Sequence, residues 1–352
     1  MTTAILAIIL FALMIFPHEL GHFIAAKCMG VKVNEFAFGM GPALWKKQGK
    51  ETLYSIRLFP IGGYCAMEGE DGQEDEEQKA EPNEVNDRAF NQKKPWQKLI
   101  ILAAGSFMNL VTAVVIMTVV LGITGFTTTT IGEVTEGGPA AQAGILVGDE
   151  IIAIDETAVE SWNDVVSYVI EKDETIEITV LRDGEEMTIP VVPEYQETLD
   201  DAGNVIDQRY IVGIVTKITH NPLMAISGGV QSTWNIGVTM VDSLKMLFTG
   251  EAGMDDLAGP VGMVQMVNET RTLGFWYFGF LAALICVNLA MVNMLPLPAL
   301  DGGRIIFVLI SMITGKGISE RVEGTIHLIG MILFLILFVY VTQNDIMRIF
   351  FN

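Results

Sequence analysis

From Met1 to Pro17 the chain carries no charged residue, yet the apolar run continues to about Val31 with two histidines and a glutamate inside it, in "MIFPHELGHFIAA" (Met14 to Ala26). A run of this length suits a helix that crosses the hydrocarbon core, which takes roughly 20 residues. Three further runs share its character: Leu99 to Phe126, Leu273 to Leu300, and Thr325 to Val341. Within a bilayer only helices and closed barrels satisfy their own backbone hydrogen bonds. The four runs therefore predict an α-helical polytopic membrane protein with about four transmembrane helices. Composition agrees, since 18% of residues are charged against roughly a quarter in soluble domains. The first run has no basic leader and is too long for a cleaved signal peptide, so it is read as a span.

An ionisable group within a span is costly unless it is paired or ligated, which makes it a functional candidate by default. His18 and His22 lie four residues apart, so on a helix both imidazoles share one face and can converge on a single ion. Glu19 sits beside the first of them. The pattern H-E-x-x-H is that of zinc hydrolases, with two neutral imidazoles holding Zn2+ and the carboxylate acting as general base. Catalytic zinc takes three protein ligands and keeps one position open. Asp301, which follows Pro296 and Pro298 at the end of the third apolar run, is the candidate for the third ligand. His220 and His327 read as loop or interfacial histidines. The three cysteines form no CxxC pair, so neither a disulfide framework nor a thiolate metal site is expected.

Charge sets the orientation. Basic residues, among them Lys27, Lys32, Lys46, Lys47, Arg57, Lys93 and Lys98, cluster between the first and second runs, and Arg304, Lys316 and Arg321 lie between the third and fourth. The positive-inside rule places both loops in the cytosol. The segment from Thr127 to Ile218, with twenty acidic residues against four basic ones, then lies outside with both termini. The first and third spans cross in the same direction, so His18 and Asp301 fall at similar depth near the cytosolic face. A net charge of −21 excludes a nucleic-acid partner.

With HELGH in the first span and "NMLPLPALDGG" in the third, the chain resembles the site-2 protease family of intramembrane zinc metalloproteases, and most closely the bacterial regulator-of-sigma-E type with a single PDZ domain. "EFAFGMGPALWKK" and "YSIRLFPIGGYCAMEGED" are similar to that family's re-entrant β segment, and "FNQKKPWQKLIILAAGSFMN" to its second-span approach, with Gly105-Ser106 where the family has Gly-Pro. The resemblance implies that His18, His22 and Asp301 bind zinc, that Glu19 is the base, and that Asn293 holds the substrate backbone or oxyanion. Asn109 stands at the family's asparagine position in the second span, as a further substrate-binding candidate. It implies a multi-pass protein of the bacterial cell membrane, embedded in lipid. Expected substrates are single-span transmembrane proteins or peptides, such as anti-sigma factors or remnant signal peptides, cut in regulated intramembrane proteolysis.

The expected organisation is a first transmembrane helix over 1–31, a membrane-associated re-entrant β segment over 32–67, an acidic cytosolic loop over 68–96 and a second helix over 97–126. A PDZ domain (α+β, sandwich-like) follows over 127–218, then an amphipathic interfacial region over 219–271. The third helix, with LDGG, covers 272–303 and the fourth 322–344. In the PDZ segment, "TIEITVLRDGEEMTIPVV" predicts a hairpin turning at Asp183-Gly184, and "YIVGIVTK" a strand facing the helix near Trp162 to Glu171. Such a groove serves either to capture a peptide by strand addition or as a steric filter on substrates. In the re-entrant segment, the Gly62-Gly63-Tyr64 edge is placed to pair with an unwound substrate. Two rivals are a non-enzymatic PDZ scaffold, which a complete HELGH with Asp301 opposes, and a metal transporter, which would spread its ligands along a pathway.

Overall fold

Among the described residues, four helices are long and apolar enough to cross a membrane: Leu6–Cys28, Pro95–Thr124, Phe275–Asn293 and Val322–Ile349. They match the four runs of the sequence in place. The computed structural model describes residues 2–70, 87–170, 172–199, 205–251, 253, 259–315 and 319–350. In chain order the elements begin with α1 (Thr2–Cys28), β1 (Val33–Gln48), β2 (Leu53–Met67), α2 (Pro95–Thr124), β3 (Phe126–Val134), α3 (Pro139–Ala143) and β4 (Glu150–Ile154). There follow β5 (Thr157–Ala158), α4 (Trp162–Val169), β6 (Ile176–Arg182), β7 (Glu185–Val191), β8 (Glu194–Leu199), β9 (Val205–Ile211) and β10 (Ile214–Thr219). The chain ends with α5 (Pro222–Thr249), α6 (Pro260–Leu273), α7 (Phe275–Asn293), α8 (Asp301–Thr314) and α9 (Glu320–Phe350). Two compact units result, one from Met1–Val120 with Ile226–Asn352 and the other from Leu121–Ala225.

In the first unit, Pro17 lies inside α1 and so leaves the Leu13 carbonyl without its helical N–H. The Cys286 thiol of α7 approaches that carbonyl at 3.9 Å. Small residues let α1 and α2 touch, as membrane helix contacts favour. A Cβ at Gly21 would fall 2.2 Å from the Ala104 carbonyl oxygen.

The hairpin of β1 and β2 folds over on itself. Residues 33–38 pair with 63–67 on one side and with 53–56 on the other, and 45–48 cover the far side of 53–56. The stretch Gly63 to Met67 is therefore an edge, and β2 packs on α1.

The third apolar run is not one helix. α7 stops at Asn293 and α8 starts at Asp301, so the LDGG motif opens a separate helix and does not close the third span. The cause is local: Pro296 and Pro298 supply no N–H to a continuing helix, and Ala299 turns through φ +74°. The intervening turn folds back over the start of α8, where a Cβ at Gly302 would sit 2.2 Å from the Leu295 carbonyl oxygen and one at Gly303 would sit 2.3 Å from that of Leu297. This is why two glycines follow Asp301. His327 of α9 accepts the Ala299 N–H at 2.9 Å, a structural role in keeping with its reading as a non-ligand.

The region expected as one amphipathic segment forms two helices, α5 and α6. Asp345, a fully buried carboxylate of α9, accepts the N–H groups of Gly259 (3.2 Å) and Gly262 (2.7 Å) at the start of α6. Asp345→Ala is expected to strand these donors and destabilise the membrane unit by about 2 kcal/mol, measured as a lower midpoint of thermal unfolding in detergent.

The second unit is a sheet of order β10-β3-β4-β6-β7, with β5 on β4 and a separate β8-β9 hairpin. Ile131, Ile151, Ile154, Val165, Ile176 and Val180 are buried in its core. The β6–β7 turn falls where the sequence puts it, with Asp183 at φ +53° and Gly184 at φ +87°, the two positive-φ residues that a tight hairpin needs. The strand expected over Tyr210 to Lys217 is two strands. The backbone breaks at Gly213, φ +76°, and β10 then runs along β3 as the sheet's outer strand. The Arg182 guanidinium binds Asp149 through two contacts of 2.7 Å and holds its carboxyl below the ordinary carboxylate range. A depressed folded pKa gives stability that is present above the unfolded value, about 3.9, and lost as pH falls through the folded one. Asp149→Asn is therefore expected to lower the unit's melting temperature at pH 7 and to flatten its acid dependence below about pH 4.

Candidate active site

Helical spacing places His18 and His22 on one face of α1, and the broken third run delivers Asp301 to the same point. The Asp301 Oδ2 atom is 3.2 Å from His18 Nε2 and 3.3 Å from His22 Nε2, and the two Nε2 atoms are 3.2 Å apart. One ligand atom from each residue lies within 4.8 Å of the others. Both histidines are buried. His22 Nδ1 lies 2.9 Å from the Ile101 carbonyl oxygen. That bond fixes Nδ1 as the donor and leaves Nε2 as a lone pair facing the carboxylate. Among the described residues, no hydrogen bond reaches Asp301 Oδ2. Two imidazole lone pairs and an anionic oxygen converge, and a divalent cation with nitrogen and oxygen preference fits that donor set.

The site depends on close approach by α2. A Cβ at Gly105 would fall 2.3 Å from His22 Nε2 and 2.7 Å from His18 Cε1, so only glycine leaves room for the imidazole pair. α2 runs unbroken through Gly105-Ser106.

Glu19 is half-buried on α1, and the Cys65 N–H of the β2 edge donates to its carboxylate. An added Cβ at Gly63 would lie 3.1 Å from Glu19 Cγ, so the edge runs directly past the glutamate. The groups open onto a cleft of about 470 Å3 whose walls include His18, Glu19, Tyr64, Asn293, Asp301 and Arg304. Asn293 Nδ2 lies 3.3 Å from His18 Nε2. Tyr64 contributes a wall, and its hydroxyl is bonded to Arg57, which also binds Glu35 at 2.7 Å. Gly62, at φ +84° against Met40, shapes the turn into the edge and is not a cleft wall.

Asn109 is fully buried on α2 and is not among the residues of the cleft wall. Glu68 and Glu70 differ from a freely solvated acidic loop. Glu68 pairs with Lys32 at 2.7 Å, and Glu70 pairs with Arg304 while accepting the Met67 N–H of the edge. The rest of the acidic loop, including Asp75, lies outside the described residues. His220 lies near the Ile123 carbonyl, within the second unit.

Comparison with known proteins bears on this arrangement. The profile of peptidase family M50 matches residues 6–337. The zinc metalloprotease RasP of Bacillus licheniformis is 32% identical over 425 residues, covering 99% of this chain and all of that one. The regulator of sigma-W protease RasP of Bacillus subtilis is 31% identical over 422 residues, covering 99% of each chain. A relative in Clostridium acetobutylicum, named provisionally as a zinc metalloprotease, is 36% identical over 97% of this chain and 96% of its own length. Among solved structures, a PDZ domain of an SdrC-like protein from Listeria innocua aligns with 27% of this chain at 23% identity and a TM-score of 0.21.

Proposed function

The chain belongs to peptidase family M50 and is a multi-pass zinc metalloprotease of the membrane, and on that premise we propose that it cuts transmembrane segments of single-span proteins near the cytosolic face. The observation that carries this reading is the convergence of His18, His22 and Asp301 beside Glu19, on a helix apolar enough to span the bilayer. His18, His22 and Asp301 would hold the zinc. Zinc held there supplies a Lewis acid for the scissile carbonyl and makes water acidic enough to react near neutral pH.

Glu19 takes the proton of the attacking water and later delivers one to the leaving amine, the usual double duty of a positioned carboxylate. The Cys65 N–H holds that carboxylate in place. Asn293, with its amide at the cleft wall, donates to the substrate carbonyl as charge develops on it. A helical substrate hides its carbonyls in its own hydrogen bonds and must unwind locally. The Gly63 to Met67 edge receives the unwound stretch by strand addition. An apolar groove of about 560 Å3 between α1 and the hairpin, bordered by Ile9, Leu13, Phe16, Phe38 and Trp45, accepts the still-helical remainder.

Substrates already trimmed outside, such as anti-sigma factors or remnant signal peptides, fit a cleft of this kind. The acidic second unit faces the exterior as a peptide-binding or size-filtering PDZ domain, and the hairpin re-enters from the cytosolic side. Impermeant thiol labelling in intact cells, on a chain cleared of native cysteines, is expected to modify a cysteine at position 183 and spare one at 75. The opposite pattern inverts the topology.

Strand addition has its own test at Gly63. Any Cβ there crowds Glu19, so Gly63→Ala is expected to slow turnover through the base. Gly63→Pro adds the loss of the edge N–H and is expected to be about tenfold slower again, the worth of one hydrogen bond in an apolar site. Both variants should keep zinc. Equal rates for the two would remove the edge N–H from substrate binding.

A further inference from the structure

We propose that Asn109 is a positioning residue for the metal centre, holding through one ordered water the Nδ1–H of His18. The inference rests on the reading of His18 as a zinc ligand. His18 turns Nε2 toward Asp301 and His22, so its proton resides on Nδ1. That nitrogen is buried and meets no acceptor among the described residues. Its counterpart on His22 faces the Ile101 carbonyl. A metal-binding imidazole almost always donates its second N–H, because that bond fixes the tautomer and the ring orientation. One ligand of the pair is thus anchored by backbone, and the other needs an anchor.

α2 supplies the candidates. Gly105 lies against His18, its added Cβ falling 2.7 Å from Cε1, the ring carbon bonded to Nδ1. Residues four apart share a helical face, so Asn109 stands one turn further along the face that Gly105 presents to the imidazoles. Ser106 and Asn109 are both buried, at 3% and 0% exposure. Among the described residues, Ser106 Oγ and both polar atoms of the Asn109 amide have no hydrogen-bond partner. With His18 Nδ1 that makes four buried polar atoms to satisfy, and buried polar groups are bonded to protein or to water. An ordered water is the group that can serve an N–H donor, an amide and a hydroxyl together, since such waters join polar groups that do not meet directly. Such a water accepts from His18 Nδ1, donates to Asn109 Oδ1, and keeps further bonds for Asn109 Nδ2 and Ser106, within the two to four partners that a buried water takes.

The test measures zinc affinity of the full-length chain in detergent, by competition with a chromophoric chelator, together with the visible absorption bands of the Co2+-substituted protein. Asn109→Leu is expected to weaken zinc about 10–100-fold, the usual cost of an outer-shell partner, and to shift the Co2+ bands. Asn109→Asp, which keeps the acceptor oxygen, should restore most of the affinity. Ser106→Ala should weaken zinc to a smaller degree. Wild-type affinity and bands in Asn109→Leu would overturn the proposal, and so would a raised KM with zinc affinity unchanged, which returns Asn109 to substrate contact. If Asn109→Leu does not fold, Ser106→Ala decides: unaltered affinity and bands overturn it. His18→Ala, run in parallel, separates the two levels. Zinc retained without His18 defeats the ligand assignment itself, whereas zinc lost without His18 and kept in Asn109→Leu defeats only the water bridge.

Discussion

Glu19→Gln is expected to bind zinc at the wild-type level and to cleave about 10²–10⁴-fold more slowly, the range that a positioned general base contributes. The amide preserves shape and can still meet the Cys65 N–H through its oxygen, so the β2 edge and the cleft should stay as they are. What it lacks is a site for the water's proton. Full occupancy with lost turnover therefore separates the base from the ligands. Wild-type cleavage by this variant would remove Glu19 from the mechanism, and zinc loss would move it into the ligand set.

The second large effect lies with the ligands. His22→Ala and Asp301→Asn are each expected to lose zinc and activity together, by more than the roughly 10–100-fold that an outer-shell change costs. His22 is the more severe case. It is buried, it is tied to the Ile101 carbonyl, and Gly105 leaves no slack around it. Metal analysis of purified protein is the measurement. One zinc per chain in His22→Ala would mean that the convergence of these side chains is not the metal site. The same treatment of His327, which bonds a loop N–H and lies outside the cluster, should leave zinc content unchanged.

Much of this was readable from the chain alone, for identifiable reasons. A span of apolar residues has no soluble alternative, and ionisable groups inside it demand a partner. HELGH and the four spans followed from those two facts. Asp301 stands out as a candidate because prolines upstream break the third run, although the sequence does not show that the break opens a separate helix. What stayed hidden depends on contacts between distant segments. Gly105 carries no signal of its own; its importance appears only when α2 is laid against His18 and His22. That 63–67 forms the outer edge of the sheet required the double pairing of 33–38. Glu70 looked like part of a solvated acidic run, yet it is paired with an arginine 234 residues away. Asn109 is placed in the second span by its motif, but its full burial follows only from packing between segments.

The most direct measurement of the central claim is the position of the cut. The purified chain, reconstituted in liposomes with a single-span substrate shortened on the outer side, yields fragments whose masses give the scissile bond. The proposed function predicts a cut inside the apolar segment toward its cytosolic end, abolished by zinc chelation and restored by added zinc. A cut in the flanking soluble residues, or cleavage that continues after the metal is removed, would contradict it.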